Sequence, residues 1–209
     1  MKKAGLTAFL LSLGLAAAGC SPRTSAFPPK QNGIYVTRSG QVYTSIVENY
    51  DPSDTGYSAE ELRAMAEEEL AEYNRQYGAG GDAALVSVAE CMVAEGKASI
   101  VYQYAGPEDL CRFTDISQDT KNHPENLMVT TNSANLAEEG ISGTWTDARK
   151  NQVASLETVT KKKDLPMVVV SGDVTVQTEG RILYYSGSVN LKDEYTAQVT
   201  EGTAYIVFR

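Results

Sequence analysis

The sequence is poor in the groups on which most enzyme chemistry depends. Its 209 residues include one histidine, three cysteines and one tryptophan. A single histidine excludes zinc sites built from histidine pairs, such as His-Glu-x-x-His. No serine is followed three places later by lysine, and Gly-x-Ser-x-Gly, the strained turn that presents a serine nucleophile, is absent. Positive charge is also scarce: 18 Lys and Arg against 27 Asp and Glu give a net charge of −9. Such a chain is repelled by nucleic acid and by anionic lipid heads alike, so nucleic-acid binding is not expected. Long hydrophobic runs are missing after the first twenty residues. The one such run, Ala4–Ala18, is shorter than the roughly 20 residues a spanning helix needs.

That run has its own meaning. Lys2 and Lys3 precede it, and the small residues Ala17-Ala18-Gly19 lead directly into Cys20. The order is that of a secretory signal peptide, and its end resembles the lipobox of bacterial lipoproteins. Ala17 stands where that family usually has Leu. The resemblance implies that residues 1–19 are removed and that Cys20 carries a diacylglyceryl group. The chain is then held on the extracytoplasmic face of the cell membrane, its bilayer contact made through the Cys20 lipid. Two acyl chains suffice for stable anchoring. Loss of Lys2 and Lys3 takes the charge from −9 to −11. Residues 20–33, rich in Pro, Ser and Gly, read as a flexible tether reaching at most about 40 Å. Residues 34–209 read as a single extracytoplasmic domain.

Periodicity divides that domain. Gly33–Glu48 alternates apolar and polar residues around Ser39-Gly40, as a hairpin does. Ser58-Ala-Glu-Glu61 is a capping box that opens a helix to about Tyr77, closed by Gly78. Leu62, Met65, Ala66, Leu70, Tyr73 and Tyr77 recur at spacings of three and four, which predicts one buried face. A second hairpin spans Val86–Tyr104 around Glu95-Gly96, and Pro107–Phe113 opens like a short helix. Residues 114–126 read as loop, Leu127–Val129 as a strand and Ser133–Glu139 as a short helix. From Met167 the chain is strongly β, with Glu179-Gly180 and Glu201-Gly202 marking turns. The expected class is α+β: a mostly antiparallel sheet of hairpins, one long amphipathic helix at about 59–77, and two short helices.

The remaining candidates for chemistry are few. Cys91 and Cys111 can pair as a disulfide outside the cytoplasm or stand as free structural thiols. His123 sits in a polar loop beside Pro124. Asp51–Gly56 places oxygen ligands and a glycine as a calcium loop does, but Leu62 occupies the position of the bidentate glutamate. Gly78-Ala-Gly80 follows a helix and precedes a strand, the wrong order for a dinucleotide loop. No cofactor or metal is therefore expected. Lys161–Lys163 reads as a solvated bend. Tyrosine is the abundant component, twelve against four phenylalanines. Tyr102, Tyr104, Tyr184 and Tyr185 are strand residues whose rings and hydroxyls suit a ligand-facing sheet.

Beyond the lipobox, the order of features is similar to that of small surface lipoproteins of Gram-positive bacteria. The matching stretches are Glu72-Tyr-Asn74, the hairpin Cys91–Tyr104, Pro107-Glu-Asp109 with Phe113, Arg181–Ser186 and Ala204–Phe208. The resemblance implies a location and supplies no catalytic residue. The leading expectation is a non-enzymatic module that binds an envelope glycan or protein. The alternatives are a carboxylate-based glycan hydrolase and a small solute-binding lipoprotein, for which 190 residues are few. Labelled palmitate is expected to enter the wild-type chain and not Cys20→Ala; equal incorporation would remove the anchor.

Overall fold

The computed structural model describes residues 31–50, 58–78, 83–130, 144–161 and 165–209. Cys20, the calcium-like stretch 51–56, the short helix expected at 133–139, and Lys162 and Lys163 lie outside them.

Alternation of period two is what most of this sequence encodes, and it yields thirteen strands against three helices among the described residues. Seven strands form sheet A. These are β1 (Gly33–Val36), β2 (Val42–Asn49), β3 (Val86–Ala94), β4 (Lys97–Tyr104), β9 (Val174–Thr178), β11 (Val189–Leu191) and β12 (Thr196–Val199), in the order β11-β12-β9-β1-β2-β4-β3. Sheet B holds β5 (Asn126–Thr130), β6 (Trp145–Asp147), β7 (Gln152–Ala154), β8 (Met167–Ser171), β10 (Ile182–Ser186) and β13 (Thr203–Phe208), in the order β5-β8-β13-β10-β6-β7. Among the described strands only β1 and β9 run parallel; every other pair is antiparallel.

The two sheets cover each other. Ile34, Val36, Val42, Tyr102, Tyr104, Val174 and Val176 of sheet A share one buried cluster with Val168, Val170, Ile182, Ile206 and Phe208 of sheet B. Burying a side chain of this size contributes about 1.5–3 kcal/mol, so this inter-sheet seam is the main source of stability. A second cluster, on the other face of sheet B, joins Trp145, Val159, Met167, Val169 and Val207. Helix α3 (Leu156–Thr160) supplies Val159 to it.

The α+β expectation is therefore corrected to a mostly β, two-sheet architecture in which no long amphipathic helix serves as a second layer. Both expected hairpins form, with Glu95 and Gly96 at positive φ in the second. The difference arises at the glycine turns of the C-terminal half. Glu179-Gly180 does not join paired strands; it carries the chain from β9 in sheet A to β10 in sheet B. Glu201-Gly202 likewise links β12 in sheet A to β13 in sheet B. The strands after residue 166 therefore supply both layers, and the helix is not needed as a cover. Helix α1 (Ala59–Tyr77) keeps its capping box, with Glu61 N donating to Ser58 Oγ and Ser58 N to Glu61 Oε2. It buries only Ala66, Leu70 and Tyr73, leaves Met65 52% exposed, and packs on edge strand β3.

Helix α2 (Pro107–Ile116) reaches three residues past the expected end and packs against β5, β2 and the β3–β4 pair. Leu110, fully buried, and Phe113 enter the inter-sheet cluster from it. Residues 144–161, for which no elements are expected from the sequence, contain β6, β7 and α3. Gly33, read as the end of the tether, is the first residue of β1.

Gly180 is where the crossing is tightest, because a Cβ there would run into the carbonyl oxygen of Arg209. Gly180→Ala is expected to destabilise the protein by about 1–3 kcal/mol, as overpacking against backbone does. Gly106→Ala, whose Cβ meets nothing within 4 Å, is expected to stay within about 1 kcal/mol. Urea denaturation of the two variants checks the contrast.

Candidate functional site

A cleft that gathers aromatic, hydroxyl and carboxylate groups lies where α2 ends against β2 and β4. Ile46 and Glu48 come from β2, Tyr102 from β4, Glu69 from α1, and Phe113 with Ser117–Lys121 from α2 and the turn after it. Its volume is about 270 Å³. Each part has a local cause. β-Strand alternation points Tyr102 and Tyr104 inward. Phe113 then meets Tyr73, Tyr102 and Tyr104, with ring centroids 5.2, 5.5 and 6.0 Å away. The Tyr73 contact is edge-on at 89°, the favoured geometry for aromatic pairs.

The turn that forms the cleft wall is a Schellman helix stop. Asp119 N donates to Thr114 O and Gln118 N to Asp115 O, closing the last carbonyls of α2. The left-handed position in this motif is usually glycine. Here it is Gln118, at φ 56°, which costs about 1–2 kcal/mol of backbone strain. The turn is held by Asp119, whose Oδ2 accepts from Asn122 Nδ2 at 2.7 Å and whose Oδ1 accepts from the backbone of Lys121 and Asn122. Asn122 is fully buried and donates to Ser45 O at 3.2 Å, which ties the turn to β2. His123, expected as a solvated loop residue, is half-buried instead, its Nδ1 3.1 Å from Thr114 Oγ1.

Two buried polar atoms at this site, Ser117 Oγ and Asn122 Oδ1, have no hydrogen-bond partner among the described residues. A buried polar atom left this way costs about 1–3 kcal/mol until solvent or a ligand satisfies it. Tyr102, 5% exposed, lines the cleft beside them. Tyr102 also feels the charges of Glu69 and Asp119, and burial first, then those charges, push its pKa up to about 12. Of the three acids, Asp119 is engaged by the turn, which leaves Glu48 and Glu69, both exposed, at the rim.

The other expected site residues are dispersed. Tyr104 is in the sheet interior, its hydroxyl 2.8 Å from Thr44 Oγ1, and burial holds its pKa far above the ordinary tyrosine value. Tyr184 faces a different cleft, and Tyr185 packs toward the inter-sheet cluster. Cys91 and Cys111 are free thiols on β3 and α2. Cys91 Sγ lies 3.4 Å from Ala59 O, and burial raises both thiols, so neither is an activated nucleophile. Among the described residues no three His, Cys, Asp or Glu side chains gather as a metal ion requires, and no helix is long and apolar enough to cross a membrane.

The chain matches no protein-family model, no curated protein and no solved structure. The reading of this cleft therefore rests on its geometry. Of its parts, only Tyr102 is expected from the sequence. Ser117, Gln118 and Asp119 are missed, because their helix stop lacks the glycine by which such stops are found.

The buried tyrosines give a pH signature. Both have folded-state pKa values above their ordinary value of 10. Between about pH 10 and pH 12 the unfolded chain loses these protons while the native chain keeps them. The stability they contribute is thus intact below pH 10 and lost as pH rises. Stability measured by urea denaturation is expected to fall above pH 10, and less steeply in Tyr102→Phe.

Proposed function

We propose that the protein is a lipid-anchored binding module on the extracytoplasmic face of the cell membrane, and that the Tyr102 cleft takes a hydroxyl-rich ligand such as an envelope glycan. The observation that carries the reading is a cleft that holds Tyr102 and the buried, unpartnered Ser117 Oγ and is rimmed by Glu48 and Glu69. A sugar hydroxyl both donates and accepts. It can give a hydrogen bond to a rim carboxylate while its neighbour accepts one from Tyr102. Ser117 Oγ adds a further group of the same kind. The signal-like residues 1–20 support the anchored location, and the net charge of −9 makes the lipid, rather than surface charge, the means of attachment.

The two rim glutamates keep the glycan-hydrolase reading as the alternative. In that case one would serve as acid and the other as base or nucleophile. Against it, both are exposed side chains, whereas a general acid at neutral pH needs an environment that raises its pKa.

Titration with soluble envelope oligosaccharides, followed by amide and aromatic chemical shifts, separates the readings. Binding is expected to move the resonances of Tyr102, Phe113 and residues 117–121. Tyr102→Phe is expected to weaken it roughly five- to tenfold, the loss of about one hydrogen bond. Shifts confined to other surfaces would overturn the cleft assignment. Release of new reducing ends, abolished by Glu69→Gln, would replace the binder with the hydrolase.

A further inference from the structure

A second cleft collects positive charge in this acidic chain. Arg149 and Lys150 in the turn after β6, and Arg209 after β13, line it with Asp147, Leu183 and Tyr184; its volume is about 300 Å³. Arg38, in the β1–β2 turn, adjoins it by donating from Nη2 to Arg209 O at 3.2 Å. Three segments distant in sequence thus bring four cations together.

What sets the arginines among them apart is that none is paired with an Asp or Glu side chain, as the other described arginines are. Seven arginines are among the described residues. Arg63, Arg75, Arg112 and Arg181 pair with Glu67, Glu72, Asp109 and Glu194 at 3.3, 2.5, 3.5 and 2.5 Å. The other three have no Asp or Glu ion pair among the described residues: Arg149 and Arg209 line this cleft, and Arg38 beside it gives its backbone N–H to Glu179 Oε2 and its Nη2 to the main-chain carboxylate of Arg209. In a chain with 27 acids and 18 bases, solvated arginines would ordinarily find acids. The one acid in the cleft, Asp147, is engaged by its own turn. Its Oδ1 accepts from the backbone of Arg149 and Lys150 at 3.0 and 3.1 Å, and its Oδ2 lies 3.9 Å from Lys150 Nζ.

Sheet geometry supplies the remaining wall. A register shift between Ile182 and Tyr184 in β10 turns two successive residues, Leu183 and Tyr184, to the same side. β-Bulges re-aim side chains in this way. The cleft thus pairs an apolar wall with a cationic rim.

We infer that this cleft binds a ligand carrying two or more negative charges on phosphate groups, its organic part lying against Leu183 and Tyr184. Guanidinium forks match phosphate oxygens two at a time. Three forks and an ammonium stand against two carboxylates, that of Asp147 and the main-chain carboxylate of Arg209, and leave a net positive charge. The phosphate can belong to a soluble or polymeric ester or to a lipid headgroup, and the chain's path favours the former. Gln31 and Asn32 run beside Ser45 and Val47, at the far end of the β1–β2 hairpin from Arg38. A tether leading from the bilayer into β1 therefore leaves Arg38 at the end of the hairpin away from it.

Calorimetry of the purified full chain with inorganic pyrophosphate, and co-sedimentation with phosphatidylglycerol vesicles against phosphatidylcholine vesicles, tests the inference. Pyrophosphate binding is expected to weaken with added salt and to weaken roughly tenfold or more in Arg149→Gln/Arg209→Gln, with Arg75→Gln unchanged. Arg149→Gln alone, an exposed turn substitution, serves if the double variant melts early. Binding to phosphatidylglycerol vesicles alone, lost in the same variants, would keep the phosphate site and assign it to a headgroup. No response to either probe, or equal binding by the variants, would overturn it. Neither result bears on the Tyr102 cleft, whose proposed ligand is recognised through hydroxyl groups and which shares no lining residue with this one.

Discussion

Phe113 is the contact on which the described architecture turns. Two sheets that face each other leave an open end wherever their strands run out, and the core there must be closed by something apolar. Helix α2 closes it by lowering Leu110 and Phe113 into the inter-sheet cluster. Phe113 in turn packs against Tyr102 and Tyr104 of β4 and Tyr73 of α1. One ring thus fixes a helix from each side of the second hairpin to the sheet. The polar tips of those tyrosines then have to be accommodated. Tyr104 finds Thr44 inside the sheet, and Tyr73 finds the Asp109 carbonyl at 3.5 Å. Tyr102 instead lines the cleft. The candidate site is in this sense a consequence of how the end of the sandwich is sealed.

The same logic explains the strained turn. After Ile116 the chain must reverse at once, because Asn122 has to reach Ser45 O and Leu127 has to pair with Val170. A Schellman stop achieves that reversal, and Gln118 accepts the left-handed conformation that glycine would adopt without cost. A polar side chain at the rim of a cleft is what the position gains for the strain. Residues held in such conformations tend to cluster at binding sites.

Local features were the legible ones. The capping box at Ser58, the Pro107 helix start, the Glu95-Gly96 hairpin turn and the alternating runs after Met167 each depend on residues a few places apart, and each is found where the sequence puts it. What periodicity does not encode is which sheet a strand joins. Glu179-Gly180 and Glu201-Gly202 read as turns, and a glycine after an acid is compatible with either a hairpin or a corner. At Gly180 the close approach of Arg209, 29 places away, marks the corner. The helix stripe misled for a related reason. Leu62, Met65 and Tyr77 lie on the expected face, but an edge strand is too narrow to bury the full stripe, and Met65 stays half exposed. Of the candidate site, Tyr102 was legible as a strand tyrosine, while Ser117–Asp119 were not, because helix stops are recognised by glycine and this one has none.

Charge is distributed along the β1–β2 hairpin in a way that composition alone hides. A net charge of −9 suggests a uniformly acidic surface. Yet Glu48 stands at the end of β2 where Gln31 and Asn32 arrive, and Arg38 stands at the turn that precedes β2. The strand between them spans roughly 20 Å, more than two Debye lengths at physiological ionic strength. The acidic cleft and the cationic cleft therefore act as separate electrostatic sites rather than cancelling. A ligand with phosphate groups is thus attracted at the Arg38 end of the hairpin and repelled by the glutamates at the other.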